Sequence, residues 1–142
     1  MVKRPTYEDS RDAVDEQGRS KLHYAANNGS VVKVKKLLDE GIDINTKDDI
    51  GWTALHFAAQ NSQFDVIDLL LEYNANPNIT DKQGNGPLWV AVLNAKNNSR
   101  GVISLLEAHA NPNSKNIHGR SPIYIVKTQH KGLDEAFAPY VS

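Results

Sequence analysis

The sequence predicts an all-α fold, an elongated stack of four helix–turn–helix units joined by tight polar turns. Three observations carry this. A nine-residue phrase recurs in register, as "GRSKLHYAA" at 18–26, "GWTALHFAA" at 51–59 and "GNGPLWVAV" at 84–92. The glycines that open it, Gly18, Gly51 and Gly84, stand 33 residues apart, and Gly119 opens a fourth copy 35 residues further on. Behind each phrase runs a second, more apolar helical pattern. Isolated helices shorter than ~12–15 residues are marginal in water, so each pattern must bury its apolar face on a neighbour.

The units follow from the spacing. Residues 1–14 form an N-terminal extension, and the repeats span 15–47, 48–80, 81–115 and 116–142. Each first helix is compact. Leu22, Ala25 and Ala26, then Leu55, Ala58 and Ala59, lie at i, i+3 and i+4 and so share one face, where alanine lets a neighbouring helix come close. Each second helix is bulkier, with Val31, Val34, Leu37 and Leu38, then Val66, Ile67, Leu70 and Leu71, then Val102, Leu105 and Leu106. Gly41 and Asn74 follow these helices and suit a left-handed helix end, a pattern that His109 breaks in the third unit.

Thr53 and Ser121 stand where helices begin and are capping residues, while Pro87 and Pro122 are pre-set for a first helical turn. The Asp-x-x-Gly segments between units read as tight turns. Unit three carries a two-residue excess between its helices, at Lys96-Asn97-Asn98-Ser99-Arg100, which predicts a longer loop on the far side of the stack. In unit four the second helix shrinks to "LDEAFAPYV", ended by Pro139, as expected of a capping unit that stops presenting apolar surface.

Composition narrows the function. Lys and Arg number 16 against 17 Asp and Glu, a net charge of −1, and neither half of the chain is a basic arm or an acidic tail. A general phosphate-binding surface is not indicated, so nucleic acid is not an expected partner. There is no cysteine, which removes disulfides, thiol nucleophiles and Cys-based zinc sites together. Apolar runs are short and the N-terminus is charged. The expectation is a cytoplasmic protein with no membrane span and no signal peptide.

The phrases "TALHFAA", "GPLWVAV" and "SKLHYAA" resemble the Thr-Pro-Leu-His-x-Ala signature of ankyrin repeats, and the period matches that family. The trailing "GIDINTK", "NANPNIT" and "HANPNSK" are similar to its Gly-Ala-Asp-x-Asn ending, so the resemblance covers roughly residues 15–138. There are departures: Ser20-Lys21 and Ala54 where Thr-Pro and Pro are usual, Gly86, Trp89 and Val92 in unit three, and Tyr124 with Ile125-Val126-Lys127 in unit four. The resemblance implies that His23 and His56 are structural, each imidazole bonding backbone across its turn. Trp89 and Tyr124 at the equivalent positions agree, since a catalytic base is not exchanged for indole between copies.

No enzyme is expected. His109, His118 and His130 fall at no spacing that suits one metal, and no phosphate loop or nucleophile elbow occurs, so no cofactor or metal is called for. The Asp15-Glu16 and Asp48-Asp49 pairs straddle turns, where solvation is expected to leave them unperturbed.

What remains is binding. The resemblance implies a protein partner on the concave face, formed by turns and the exposed edge of each first helix. By register the contact residues are Glu16, Gln17, Arg19, Asn27 and Asn28 in unit one, and Asp49, Ile50, Trp52, Gln60 and Asn61 in unit two. Unit three contributes Lys82, Gln83, Asn85, Leu93 and Asn94, and unit four Ile117, His118, Arg120, Thr128 and Gln129. Trp52 stands out, because interface anchors are enriched in Trp, Tyr and Arg; the alternative is that it folds over a neighbouring turn. A small chain with "DKQGNGPLWVAV" followed by "HANPNSKNIHGRSP" is similar to ankyrin-type immunity proteins, which neutralise secreted bacterial toxins. The rival expectation is a scaffold or adaptor that binds several proteins.

Overall fold

The computed structural model describes residues 11–129 and 132–141. Residues 1–10 of the N-terminal extension lie outside the described residues, as does His130. Among the described residues, eight α-helices follow one another in pairs. They are α1 (Lys21–Asn27) and α2 (Val31–Asp39), α3 (Ala54–Gln60) and α4 (Phe64–Glu72), α5 (Pro87–Leu93) and α6 (Arg100–Glu107), then α7 (Pro122–Gln129) and α8 (Asp134–Phe137). No strand or sheet forms among the described residues; the one isolated bridge joins Val14 and Ser20.

The helices make two layers. α1, α3, α5 and α7 pack in series as the inner layer, and α2, α4, α6 and α8 as the outer one, with each pair also packed internally. The inner layer is tight because its buried face carries Ala25, Ala26, Ala58, Ala59 and Ala91. The outer layer brings the bulk, with Val34, Val66, Ile67, Leu70, Val102, Leu105 and Leu106 all buried. At Gly101 the approach is close enough that a Cβ would stand 3.2 Å from the Ile67 side chain.

Each helix end has a local cause. Ser20 caps α1 in extended backbone, and its hydroxyl accepts from the His23 amide at 3.4 Å. Gly41, Asn74 and His109 all take left-handed backbone after the outer helices, with φ of 88°, 64° and 71°. His109 therefore keeps the pattern that its side chain was expected to break; a polar residue just past a helix end accepts this conformation when the turn bonds fix it, here through the His109 amide to the Leu106 carbonyl at 3.0 Å.

The last unit also differs from expectation. α8 does not stop at Pro139 but tightens at Ala138 into a 3-10 turn, Ala138–Tyr140, where a ring with no N–H costs nothing. Phe137 and Leu133 still reach the core.

Candidate binding surface

The turns are built alike from one carboxylate or amide each. Asp48 Oδ1 accepts from the amides of Ile50 and Trp52 at 3.1 and 2.8 Å, and Asp81 Oδ1 from those of Gln83 and Asn85 at 2.9 Å each. Asp15 and Asn116 repeat this in the first and fourth turns. The expected solvation of the turn acids does not hold for Asp48, which is buried because the first turn covers it. Burial pushes the Asp15 carboxyl up, but the Tyr24 hydroxyl and the amides of Arg19 and Gln17 together outweigh it and hold it below the ordinary value.

Successive turns are bonded to one another by backbone. The amides of Asp49, Lys82 and Ile117 donate to the carbonyls of Gln17, Ile50 and Gln83 at 2.9, 3.0 and 3.0 Å. The main chain of the turns is spent on this ladder, and the side chains of the same residues stay outside. Glu16, Gln17, Asp49, Ile50, Lys82, Gln83, Ile117 and His118 are all exposed, two from each turn, as one row. Ile50 and Ile117 are 50% and 63% exposed, which sets two apolar side chains within a polar row.

The second set of expected contact residues is turned inward. Arg19 reaches the buried Asp48 carboxylate at 3.5 Å and lies over the Phe57 ring, 5.1 Å from its centroid. Trp52 donates from its indole N–H to Asp81 Oδ2 at 2.8 Å, stacks on His56 and meets Phe57 edge-on. Asn85 Oδ1 accepts from Asn116 Nδ2 at 3.0 Å. Each of the three braces its own turn to the next, and Trp52 folds over the neighbouring turn. Arg120 occupies the same register position, is exposed, and lies 5.8 Å from the Tyr124 ring centroid.

The third set lines the far ends of the inner helices. Asn61 donates to Asn27 Oδ1 at 2.6 Å, so these two form one polar edge, while Asn28 and Gln60 are exposed beside it. Leu93 is 43% exposed at the end of α5, Asn94 turns back onto the Val90 carbonyl at 2.8 Å, and Thr128 and Gln129 are exposed at the end of α7. The long loop between α5 and α6 walls a groove of about 470 Å³ with Gln60, Asn61 and Asn94. Sequence reasoning missed that this loop is tied down: Arg100 starts α6 and pairs with Asp65 and Asp68 at 2.7 and 3.0 Å.

The two histidines form reciprocal caps. The Ser20 amide donates to His23 Nδ1 at 2.9 Å and the Thr53 amide to His56 Nδ1 at 3.1 Å. Nδ1 is therefore the bare nitrogen, and Nε2–H donates onward to the carbonyls of Trp52 and Asn85 at 2.8 and 3.0 Å. Each imidazole holds its own helix start and the turn of the following unit together. Burial drives both pKa values below the ordinary 6.5, and the carbonyl bonds oppose this only in part. At the third position Trp89 has no ring acceptor, so unit three lacks this cap.

Among the described residues no group of His, Asp and Glu could hold a metal ion, and no helix is long and apolar enough to cross a membrane. A family model described as "Ankyrin repeats (3 copies)" matches residues 5–81 and again 22–116. The chain belongs to the ankyrin-repeat family. That family is a non-catalytic scaffold for protein–protein interaction, and its repeats bind protein partners. No curated protein matches the chain.

Proposed function

We propose that this ankyrin-repeat chain binds one protein partner across the exposed row of turn side chains and neutralises it by occlusion. The observation that carries the reading is the division of labour within the turns. Backbone and brace residues tie the row together, while Glu16, Gln17, Asp49, Ile50, Lys82, Gln83, Ile117 and His118 stand exposed at its surface and differ from turn to turn. A preorganised row loses little freedom on binding, so more of each contact appears as affinity. Ile50 and Ile117 are the apolar anchors of this reading, and the polar edge of Asn27, Asn28, Gln60 and Asn61 with the groove beside the long loop forms its rim.

The most specific form of the proposal is an immunity protein that covers the working surface of a secreted bacterial toxin. A standard interface of ~1,600 Å² suffices to cover an active site. The reading takes the protein to work in the cytoplasm, in keeping with a chain that has no cysteine.

The test is capture of bound proteins from the native cell, counted by mass spectrometry. The proposal expects one stoichiometric partner that arrests growth when expressed alone and is relieved by co-expression of this chain. Many substoichiometric partners would instead identify a scaffold and sink the immunity role.

A further inference from the structure

We propose that the Asn85–Gly86 step is a site of spontaneous deamidation, where the chain converts residue 85 to aspartate or isoaspartate with water as the only co-reactant. Asparagine followed by glycine is open to this chemistry because no Cβ shields the attacking amide nitrogen. The sequence writes the pair twice, at Asn28–Gly29 and at Asn85–Gly86. Exposure alone would choose Asn28, the more exposed of the two. The hydrogen bonds choose Asn85.

The nucleophile is the Gly86 nitrogen. In units one and two the amide at this register position, that of Ser20 or Thr53, is held by His23 or His56 Nδ1 at 2.9 and 3.1 Å. Trp89 stands in place of the histidine and offers no acceptor, so the Gly86 amide makes no hydrogen bond among the described residues. The Gly29 amide, by contrast, donates to the Ala26 carbonyl at 3.1 Å. Gln63 also folds over that glycine, so closely that a Cβ on Gly29 would stand 2.3 Å from its Oε1.

The Asn85 side chain is arranged to match. Its Oδ1 accepts from Asn116 Nδ2 at 3.0 Å, which draws electrons from Cγ, the atom to be attacked. The corresponding bond at Asn28, from Asn27 Nδ2, is long at 3.5 Å. Asn85 Nδ2, the leaving nitrogen, makes no hydrogen bond among the described residues. A cavity of about 20 Å³ beside Thr80, Asn85, Gly86 and Trp89 adjoins the step and has room for one water.

The Gly86 nitrogen attacks Asn85 Cγ, the new C–N bond closes a succinimide, and the Cγ–Nδ2 bond breaks. The Gly86 amide proton leaves with Nδ2 as ammonia. Water then opens the ring at either carbonyl. Aspartate keeps an acceptor for Asn116. Isoaspartate lengthens the main chain by one carbon, and the carbonyl that accepts from His56 Nε2 at 3.0 Å becomes a free carboxylate. The junction between the second and third units then loosens irreversibly.

The full folded chain, incubated in mildly alkaline buffer and sampled over weeks, tests the proposal. Peptide mapping by mass spectrometry reads amide-to-acid conversion and isoaspartate at each Asn–Gly step. Asn85 is expected to outrun Asn28 by about fivefold, the rate cost of breaking one ordinary amide hydrogen bond before attack. In urea the two rates should converge. Gly86→Ala places its Cβ 3.6 Å from the nearest atom, the Ile79 carbonyl oxygen, at a φ of −95° that any residue adopts. It shields the nitrogen without straining the fold and should slow conversion at residue 85 about tenfold or more. Circular dichroism confirms that the variant folds. Asn28 converting as fast as Asn85 in the folded chain, a preference for Asn85 undiminished in urea, a Gly86→Ala variant that converts like wild type, or an Asn85 that stays intact while the step converts in urea would each overturn the proposal.

Discussion

His56 donates from Nε2 to the carbonyl of Asn85, 29 residues away and one repeat on, at 3.0 Å, while its Nδ1 accepts the amide of Thr53 at 3.1 Å. One buried ring thus ties a helix start to the following unit. Replacing it by alanine leaves a buried amide and a buried carbonyl without partners. His56→Ala is expected to cost about 2–4 kcal/mol, read as a shift in the chemical denaturation midpoint. Because repeats touch only neighbours, the loss should open the second and third units first, visible as early amide exchange in α3 and α5.

Acidification should weaken the fold through the same rings. The folded pKa of His23 and of His56 lies below the ordinary 6.5, so below that pH the unfolded chain takes up protons that the folded chain resists. Stability is then expected to fall as pH drops from about 6.5, by at most about 1.4 kcal/mol per pH unit for each ring. Protonation at Nδ1 would also set two donors against each other at Ser20 and Thr53. Melting temperatures between about pH 7.5 and 5 check this. Replacing both histidines by glutamine, which does not titrate, should flatten the profile over that range.

The turn glycines offer an internal control. Gly51 and Gly119 share left-handed backbone, with φ of 91° and 71°, but a Cβ at Gly51 would stand 2.8 Å from the Asp81 backbone whereas one at Gly119 meets nothing within 4 Å. Gly119→Ala should cost only the conformational penalty, about 1 kcal/mol. Gly51→Ala must also push two turns apart and is expected to cost at least about 2 kcal/mol more. Equal losses in thermal melts would contradict the stacked turns.

Trp52 separates packing from hydrogen bonding. Trp52→Phe keeps a ring near His56 and Phe57 but gives up the bond to Asp81, an expected loss of about 1 kcal/mol. Trp52→Ala removes the ring as well and should cost about 3 kcal/mol. Any loss of partner binding by these variants has to be compared at matched folded fractions, because the residue braces the row it stands behind.

The helices were legible because their pattern repeats: three phrases in register, two of them alanine-rich, leave little choice of face, and the marginal stability of a lone short helix forces the stack. The role of His23 and His56 was legible from Trp89 and Tyr124 standing in their places. The orientation of Trp52, Arg19 and Asn85 was not. Three unlike side chains at one register position look like variation for a partner, and only the following turn, 29 to 31 residues on, reveals that each reaches the capping side chain at one and the same position. Asp48 was misread for the same reason, since its burial comes from the preceding unit and not from its own neighbours in sequence. The exposed half of the surface, Ile50 and Ile117 with their polar neighbours, was readable as variable positions at the tips of a rigid turn.

The central claim, that the row of turn side chains is the binding surface, is tested most directly by capturing partners from native cells with wild type and with Ile50→Asp plus Ile117→Asp side by side. Both isoleucines are exposed, so the variant should keep its helicity and melting temperature. The account predicts a single stoichiometric partner on the wild-type chain, reduced about tenfold or more on the variant. The same partner retained at the same level by the folded variant would contradict it.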